Sequence, residues 1–251
     1  MNRKTPKNQV KQNDCFSIRL RCSTQEVHSL AEQTGFIRGF LRGTASHQSY
    51  LQLLLDLLPV YQEMEYHLDR LCELDSKILI PFHFRELYRS EALKRDIDYI
   101  SDCCTENGQL ANLRASAHSS EYVERVRSVA LSAEPVRLVG HLYTRYLGDL
   151  SGGQILAKIA RNSMRLDCNR GLDFYEFEQI KNIAAMKKSF RAALDTLEGD
   201  AILEEIVTEE AILSFRYNID IFNSLRGNSL VSIWRNFHSF IKQRVPARSH
   251  A

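Results

Sequence analysis

Apolar residues recur at helical spacing along most of this chain, and this pattern restricts the fold more than any other feature of the sequence. In residues 51–68, positions three and four apart form one apolar stripe that only Glu65 interrupts. Pro59 lies inside the stripe and removes a backbone donor, so we expect a kink there. No segment alternates apolar and polar residues for long enough to predict a strand. The sequence therefore predicts an all-α fold.

The other predicted helices follow one another without a linker. They cover residues 122–133, 136–150, 155–164, 180–197, 202–225 and 230–242. No fixed period repeats along the chain, which argues against a solenoid, and 251 residues suit one domain with a sizeable core. We therefore predict a single helical domain over residues 16–242, with flexible tails over residues 1–15 and 243–251.

Charge and composition exclude several classes of function. The chain has 33 basic and 31 acidic residues, a formal net charge of +2, which gives no general attraction to nucleic acid. Its apolar runs are too short to cross a membrane and no secretory signal is present, so we expect no membrane anchor. The six cysteines form no C-x-x-C pair, which favours free thiols in a reducing compartment such as the cytoplasm.

A glycine-rich motif, YTRYLGDLSGGQ, occupies residues 143–154. Its last five letters also occur in ABC-type ATPases, but the chain has no G-x-x-x-x-G-K-[ST] loop to hold phosphates, so we reject a nucleotide site. Gly148 and Gly152 are four residues apart and share one helical face, where missing side chains would let a flat ligand approach the backbone. From spacing alone, a plain break in the helix is the simpler explanation of these glycines.

The whole of YTRYLGDLSGGQ resembles the distal-helix motif of the heme oxygenases. Further segments that resemble this family are EVHSLAEQTGF with the following FLRG, KKSFR, DFYEFEQI and NIDIFNSLRGN. The similarity extends over about residues 18–225, is greatest to soluble bacterial and plastid-type members, and is weaker at residues 77–85 and 110–120. The resemblance implies a single-domain helical bundle that holds heme between a proximal helix and a kinked distal helix.

The resemblance assigns the axial iron ligand to His28, within EVHSLAE. Glu32 follows one turn later and would accept a hydrogen bond from the second ring nitrogen of the ligand. An alternative is that Ser23 and Glu26 form a capping box and that this segment is an ordinary helix start. Among the other histidines only His141, just before the glycine motif, competes as a ligand, and we interpret it as structural.

On the opposite side of the heme, the resemblance makes Gly148 and Gly152 backbone contacts and Asp149 the anchor of a water network. Such a network would deliver protons without placing a strong acid at the reacting atoms. Arg145 lies four residues before Asp149 on the same helical face, and from the pattern alone an ion pair between them is the simpler role. An ion pair with Arg145 and a role in the water network are compatible for Asp149. We assign to the catalytic site Arg145, Gly148, Asp149 and Gly152.

Heme carries two propionates, which need cationic or hydroxyl partners. The resemblance assigns these roles to Lys187 and Arg191 in KKSFR, to Tyr143, and to Arg21, which stands where family members commonly have lysine. A solvated basic helix face is the alternative for Lys187 and Arg191. Three residues of the predicted helix over residues 202–225 match pocket positions of the family, although periodicity alone places them in the core: Phe215, Asn218 and Phe222.

The function that the resemblance implies is oxidative opening of heme b to biliverdin, carbon monoxide and ferrous iron, with heme as both substrate and cofactor. Dioxygen is the second substrate, and the electrons must come from an external donor because no flavin or NAD fingerprint is present. Ferredoxin with its reductase is the expected donor, a bilin reductase is an expected downstream partner, and we expect a monomer in the cytoplasm or the plastid stroma. Two alternatives are a heme carrier without turnover and a related helical-bundle enzyme that binds no heme.

Overall fold

The computed structural model describes residues 15–44, 46–105, 113–166 and 170–225. Within these ranges there are nine α-helices and no strand, which confirms the predicted all-α class. The predicted helix over residues 230–242 and almost all of both predicted tails lie outside the described residues. The helices are α1 Phe16–Glu32, α2 Gly35–Leu41, α3 His47–Glu73, α4 Ser90–Thr105, α5 Ala117–Ala130, α6 Leu138–Leu142, α7 Gly148–Met164, α8 Ile183–Asp195 and α9 Ala201–Ser224.

The longest helix, α3, carries the apolar stripe and runs through the middle of the core. It begins at a capping box in which the side chains of Ser46 and Ser49 each accept from the other's backbone N–H. The helix continues across Pro59 without ending, while the expected kink stays a prediction. Leu54 and Leu68 of the stripe are fully buried, so the periodicity identified the correct face.

Two carboxylates of α3 are buried, Glu65 within the apolar stripe and Asp56 outside it. Glu65 accepts from the backbone N–H groups of Arg89 (2.6 Å) and Ser90 (3.2 Å) at the start of α4. Asp56 accepts from the backbone N–H of Ser116 (2.6 Å) directly before α5. Because the first N–H groups of a helix have no partner within that helix, these carboxylates supply acceptors and fix where α4 and α5 begin.

The glycine motif lies within one continuous helical segment over residues 138–164, which we call the joined helix. A π-helical turn, Tyr143–Leu147, connects α6 to α7, and Gly148 is the first residue of α7. The motif therefore does not break the helix, and the simpler explanation of its glycines is wrong. Single π turns inside α-helices are frequent at functional sites because they rotate the side chains that follow them.

The joined helix runs in the same direction as α9. His141 near its start lies beside Glu210, and Arg145 one turn later donates to the amide oxygen of Asn218, two turns further along α9. The approach is closest at Gly140, where an added Cβ would lie 2.6 Å from the backbone nitrogen of Ala211. Only a residue without a side chain fits between the two backbones at that point.

Substitution of Gly140 by alanine is therefore expected to destabilise the protein by about 3 kcal/mol, because α6 and α9 must move apart to admit the methyl group. Urea unfolding at neutral pH measures the change. An unchanged midpoint would show that α6 and α9 separate easily and that their close approach is not required.

His141 is structural, as its sequence context suggested. The ring is fully buried, with Nε2 2.9 Å from Glu210 and Nδ1 3.4 Å from the hydroxyl of Tyr122. Arg125 adds two hydrogen bonds to the same carboxylate, at 2.9 and 2.6 Å. Burial alone would raise the pKa of Glu210, but His141 and Arg125 outweigh it and lower that pKa to about 2.

Glu210 therefore stabilises the fold in a pH-dependent way. Its pKa in the folded state lies below its ordinary value of 4.5, so the stabilisation is complete above pH 4.5 and is lost as the pH falls toward 2. Glu210→Gln is expected to cost about 3 kcal/mol at pH 7 and to flatten the fall in stability between pH 4.5 and 2. Unfolding curves at pH 7 and pH 3 give both values, and parallel pH profiles for the two proteins would contradict this assignment.

Candidate functional site

His28 lies on α1 with an exposed imidazole. Its Nδ1 is 3.8 Å from Glu32 Oε1, and its ring packs edge-on against Phe215 of α9 at a centroid distance of 5.6 Å. The helix begins at Phe16, and Cys15 is its N-cap residue. Ser23 therefore lies inside α1 and does not start the helix. The capping-box alternative is therefore wrong, and His28 and Glu32 face one another on one side of the helix.

The glycines of α7 have one open side and one packed side. A Cβ added at Gly148 or Gly152 would meet no atom within 4 Å, whereas one at Gly153 would touch the ring of Tyr175 at 3.4 Å. The face that carries Gly148 and Gly152 is therefore a bare backbone surface. The opposite face is held against the segment that contains Tyr175.

The bare face of α7 and His28 lie at the same level of the molecule. Arg19 lies beside Glu204 and His28 beside Phe215, so α1 also runs parallel to α9 and points the same way as the joined helix. They meet where the hydroxyls of Thr24 and Tyr143 share a hydrogen bond of 3.2 Å. At about 1.5 Å per residue, His28 lies about 6 Å and Gly148 about 7.5 Å beyond that contact. We infer that the imidazole and the bare backbone face border the same space between the two helices.

Asp149 belongs to a buried hydrogen-bond network on the inner side of α7. The hydroxyl of Tyr61 donates to Asp149, and Arg145 Nη2 lies 3.5 Å from the other carboxylate oxygen. Arg145 Nε also donates to the hydroxyl of Tyr61 at 2.9 Å, and its Nη1 donates to Asn218. The ion pair between Arg145 and Asp149 is therefore present, and it positions the carboxylate beside the bare glycine face.

Burial sets the electrostatics of this network. It raises the pKa of Asp149, while the positive charge of Arg145 and the hydrogen bond from Tyr61 act in the opposite direction. Burial would lower the pKa of Arg145, but the neighbouring Tyr61 hydroxyl and Asp149 carboxylate raise it overall. The site therefore contains a carboxylate whose pKa is raised by burial, beside an arginine that stays charged.

Tyr61 is the site residue that sequence reasoning missed, because it was counted only as part of the apolar stripe of α3. Its side chain is fully buried, and a buried tyrosine hydroxyl needs a hydrogen-bond partner. That requirement was the available signal, but it does not say which partner. Asn218, expected to line the pocket, is buried and binds Arg145 instead.

Two of the predicted propionate residues, Arg21 and Arg191, lie close enough to Tyr143 for their charges to act on its hydroxyl. Burial raises the pKa of Tyr143 overall. The hydrogen bond with Thr24 and the positive charges of Arg21 and Arg191 oppose that rise. Both arginines are exposed, and Lys187 is half-buried one turn before Arg191 on α8. The opening between α1 and α7 thus has a cationic edge.

The two aromatic residues expected to line the pocket are both half-buried. Phe215 contacts His28, as described above, whereas Phe222 stacks on Phe36 of α2 at 6.1 Å between ring centroids. Phe215 therefore borders the opening directly. Phe222 joins the end of α9 to α2.

Comparisons with known proteins show the family that the chain resembles over most of its length. The family model described as Heme oxygenase matches residues 14–224. Heme oxygenase 1 of Synechocystis sp. is 40% identical over 87% of this chain and 88% of its own length, and heme oxygenase of Rhodella violacea is 35% identical over 91% and 94%. The crystal structure of heme oxygenase-1 from Synechocystis sp. PCC6803 in complex with heme superposes with a TM-score of 0.83 at 38% identity, covering 91% of this chain and all of that one.

The fold and these similarities thus define a helical oxygenase of the heme-degrading class. The chain belongs to the heme oxygenase family. The predicted family, the predicted helical bundle and the predicted enzyme class, heme oxygenase, are confirmed. In the described part of the chain, no helix has both the length and the apolar character needed to span a membrane.

Proposed function

We propose that this chain binds heme b between α1 and α7 and opens its ring with dioxygen to give biliverdin, carbon monoxide and ferrous iron. One arrangement carries the proposal: an exposed imidazole and a bare backbone face each lie a short way beyond the contact between Thr24 and Tyr143, and arginine charges act on Tyr143. A flat ring with a metal at its centre and carboxylates on one edge matches each of these features.

The residues present fit heme by their chemistry. The neutral imidazole of His28 is a suitable iron ligand, and Glu32 would orient its second nitrogen. Gly148 and Gly152 admit a planar ring at van der Waals distance, since no side chain fills their face. The propionates would be held by Tyr143, Arg21, Arg191 and Lys187. Bound heme would supply both the iron that activates dioxygen and the carbon that is oxidised.

Asp149 would anchor the water molecules that bring protons to the reacting side. Held by Tyr61 and Arg145, its carboxylate cannot swing toward the ring and is restricted to orienting water. Asp149→Asn is expected to bind hemin normally but to turn it over at least about tenfold more slowly, because an amide accepts fewer hydrogen bonds and carries no charge.

Asp69→Asn is the matched control for that variant. Asp69 also accepts from a tyrosine and an arginine, Tyr88 at 2.8 Å and Arg85 at 3.1 Å, but it lies near the end of α3. Equal loss of turnover in both variants would show that the effect is a general one of removing an ion-paired carboxylate, and would remove Asp149 from the site.

The electron donor that we propose is reduced ferredoxin, since the chain resembles cyanobacterial and algal members of the family. The same resemblance makes the cytoplasm or the plastid stroma the proposed location and a bilin reductase the proposed consumer of the product. Turnover of hemin in air should then be faster with reduced ferredoxin as the electron donor than with ascorbate at the same reducing equivalents. Equal rates would argue against a specific donor site.

Turnover of hemin in solution tests the proposed function. One equivalent of hemin is added to the protein with ascorbate or reduced ferredoxin in air, and catalase removes stray peroxide. The Soret band should decay while a broad red band of biliverdin grows. A stable Soret band would mean a heme carrier instead, and absence of any Soret shift on mixing would mean that the chain binds no heme.

A further inference from the structure

Arg89 is a buried cation that the proposed site does not use. Arg89 is 7% exposed and lies directly before α4. The guanidinium donates only to backbone carbonyls: Leu87 at 3.2 Å, Glu176 at 2.5 Å and Glu86 at 3.4 Å. It also lies over the ring of Phe177, 4.0 Å from the centroid.

No carboxylate forms a direct ion pair with Arg89 among the residues that the structure describes. Glu65 accepts from its backbone N–H, not from its guanidinium. Burying a charge without a counter-charge is costly, and arginine does not escape the cost by losing its proton. Its charge must therefore be balanced through space by carboxylates that it does not touch.

Asp149 is the main candidate for that balance. Burial lowers the pKa of Arg89, and the negative charge of Asp149 is the largest effect that opposes it. Arg89 in turn opposes the raised pKa of Asp149, after Arg145 and Tyr61. In a poorly hydrated interior, such interactions extend beyond contact distance.

The contacts of Arg89 also reach the back of α7. Its bond to the carbonyl of Glu176 holds the residue that follows Tyr175, and the ring of Tyr175 is the surface against which Gly153 packs. The side chain of Gln154 donates to the carbonyl of Tyr175 at 3.2 Å as well. Arg89 therefore fixes the wall behind the helix that carries Asp149.

We propose that Arg89 is a positioning residue of the oxygenase site: a fixed, buried positive charge that keeps the Asp149 carboxylate ionised and holds the segment behind α7 in place. The proposal concerns the predicted site and rests on the proposed function only for its effect on turnover. Because Asp149 would orient water as a carboxylate, loss of the Arg89 charge should leave it protonated over a wider pH range.

Other charged and titratable groups act on this pair, and the test must separate them from Arg89. The groups that face Asp149 come from α3, from the joined helix and from the segment before α8; they are Tyr61, Arg145, Tyr146 and Tyr175. The groups that face Arg89, besides Asp149, are Tyr61, Glu65 and Tyr146. Only Arg145 and Arg89 are cations, and Arg145 already touches the carboxylate.

The direct test is the titration of Asp149 in the ligand-free protein, followed by NMR of carbon-13-labelled aspartate carboxyls and assigned with Asp149→Asn. Arg89→Gln is expected to raise the pKa of Asp149 by about one unit, and Arg89→Lys by much less, since lysine keeps the charge. Arg95→Gln is the matched control. Arg95 is an exposed arginine that binds Asp173, in the segment that also contains Tyr175 and Glu176, at 2.6 Å. Its loss should leave the titration of Asp149 unchanged.

The outcomes separate a positioning role from a merely structural one. A folded Arg89→Gln variant with an unshifted Asp149 titration would overturn the proposal, even if its melting temperature fell. Should Arg89→Gln not fold, Glu65→Gln is compared with the double variant Arg89→Gln/Glu65→Gln, in which the nearby carboxylate is neutralised with the arginine. The pKa of Asp149 is expected to be about one unit higher in the double variant than in Glu65→Gln. An equal pKa in these two proteins would overturn the proposal.

Hemin turnover gives a second readout that depends on the proposed function. The acid limb of the pH–rate profile should move upward by about one unit in Arg89→Gln and stay in place in Arg95→Gln. If no variant or parent turns hemin over, the proposed function fails, while the carboxyl titration still decides the role of Arg89.

Discussion

Replacement of His28 by alanine is expected to abolish hemin turnover while leaving the fold intact. The imidazole is exposed, and its neighbours among the residues that the structure describes are Glu32 and the edge of Phe215, so little packing is lost. Removal of an iron ligand should cost more than the about 10–100-fold that loss of an outer-shell partner typically costs. Ferric hemin should still enter the opening, but its spectrum should no longer show a coordinated imidazole.

His118 offers a closely matched control for this variant. It is an exposed histidine on α5 with a glutamate one turn later, and its Nδ1 lies 3.7 Å from Glu121, against 3.8 Å between His28 and Glu32. The side-chain exposures are also similar, 45% for His118 and 53% for His28. His118→Ala should retain full turnover.

Added imidazole sharpens the test of His28. If the side chain acts as an iron ligand, free imidazole should bind in the space that alanine leaves and restore part of the turnover and the original Soret position. Full activity of His28→Ala without imidazole would refute the ligand assignment. Loss of activity with an unchanged spectrum would place the role of His28 elsewhere.

Leucine at Gly148 or Gly152 is expected to weaken hemin binding strongly while leaving the ligand-free protein as stable as before. Nothing lies within 4 Å of a Cβ at either position, so the fold accepts a side chain there. Helix propensity alone favours leucine over glycine by up to about 1 kcal/mol. The same side chain would occupy the space of the heme, at an overlap cost of about 3 kcal/mol or about a hundredfold in affinity.

The leucine variants are expected to keep or gain stability without ligand but to lose affinity for hemin, so measuring both quantities tests where heme lies. Melting temperatures of the ligand-free variants should be unchanged or higher, while hemin titration should show the loss of affinity. Ser151→Leu is the control, since Ser151 is exposed on the same turn of α7 but not on the face of the two glycines. Equal hemin affinity in Gly148→Leu, Gly152→Leu and Ser151→Leu would mean that heme does not lie on the glycine face.

Periodicity predicted the helical class and several elements because burial of an apolar stripe is a local property of the sequence. The stripe of α3 is an example, and its one exception, Glu65, was visible without being explained. Its reason is a contact with the backbone of Arg89 and Ser90, more than 20 residues away, which periodicity does not encode. The glycine motif likewise gave the position of a site, while the π turn that precedes it was not foreseen.

The network around Asp149 shows most clearly what could not be predicted. Arg145 was paired with Asp149 correctly, because residues four apart on a helix face one another. Tyr61 and Asn218 complete the network from α3 and α9, and only the packing of those helices brings them there. Arg89 leaves no sequence signal at all, since its partners are backbone carbonyls.

The central claim is that heme lies between His28 and the glycine face of α7, and a crystal structure of the protein with hemin tests it most directly. The account predicts iron bonded to Nε2 of His28, the ring plane against the backbone of Gly148 and Gly152, and the propionates beside Tyr143 and Arg191. Iron bonded to another side chain, or a ring bound away from the glycine face, would contradict it.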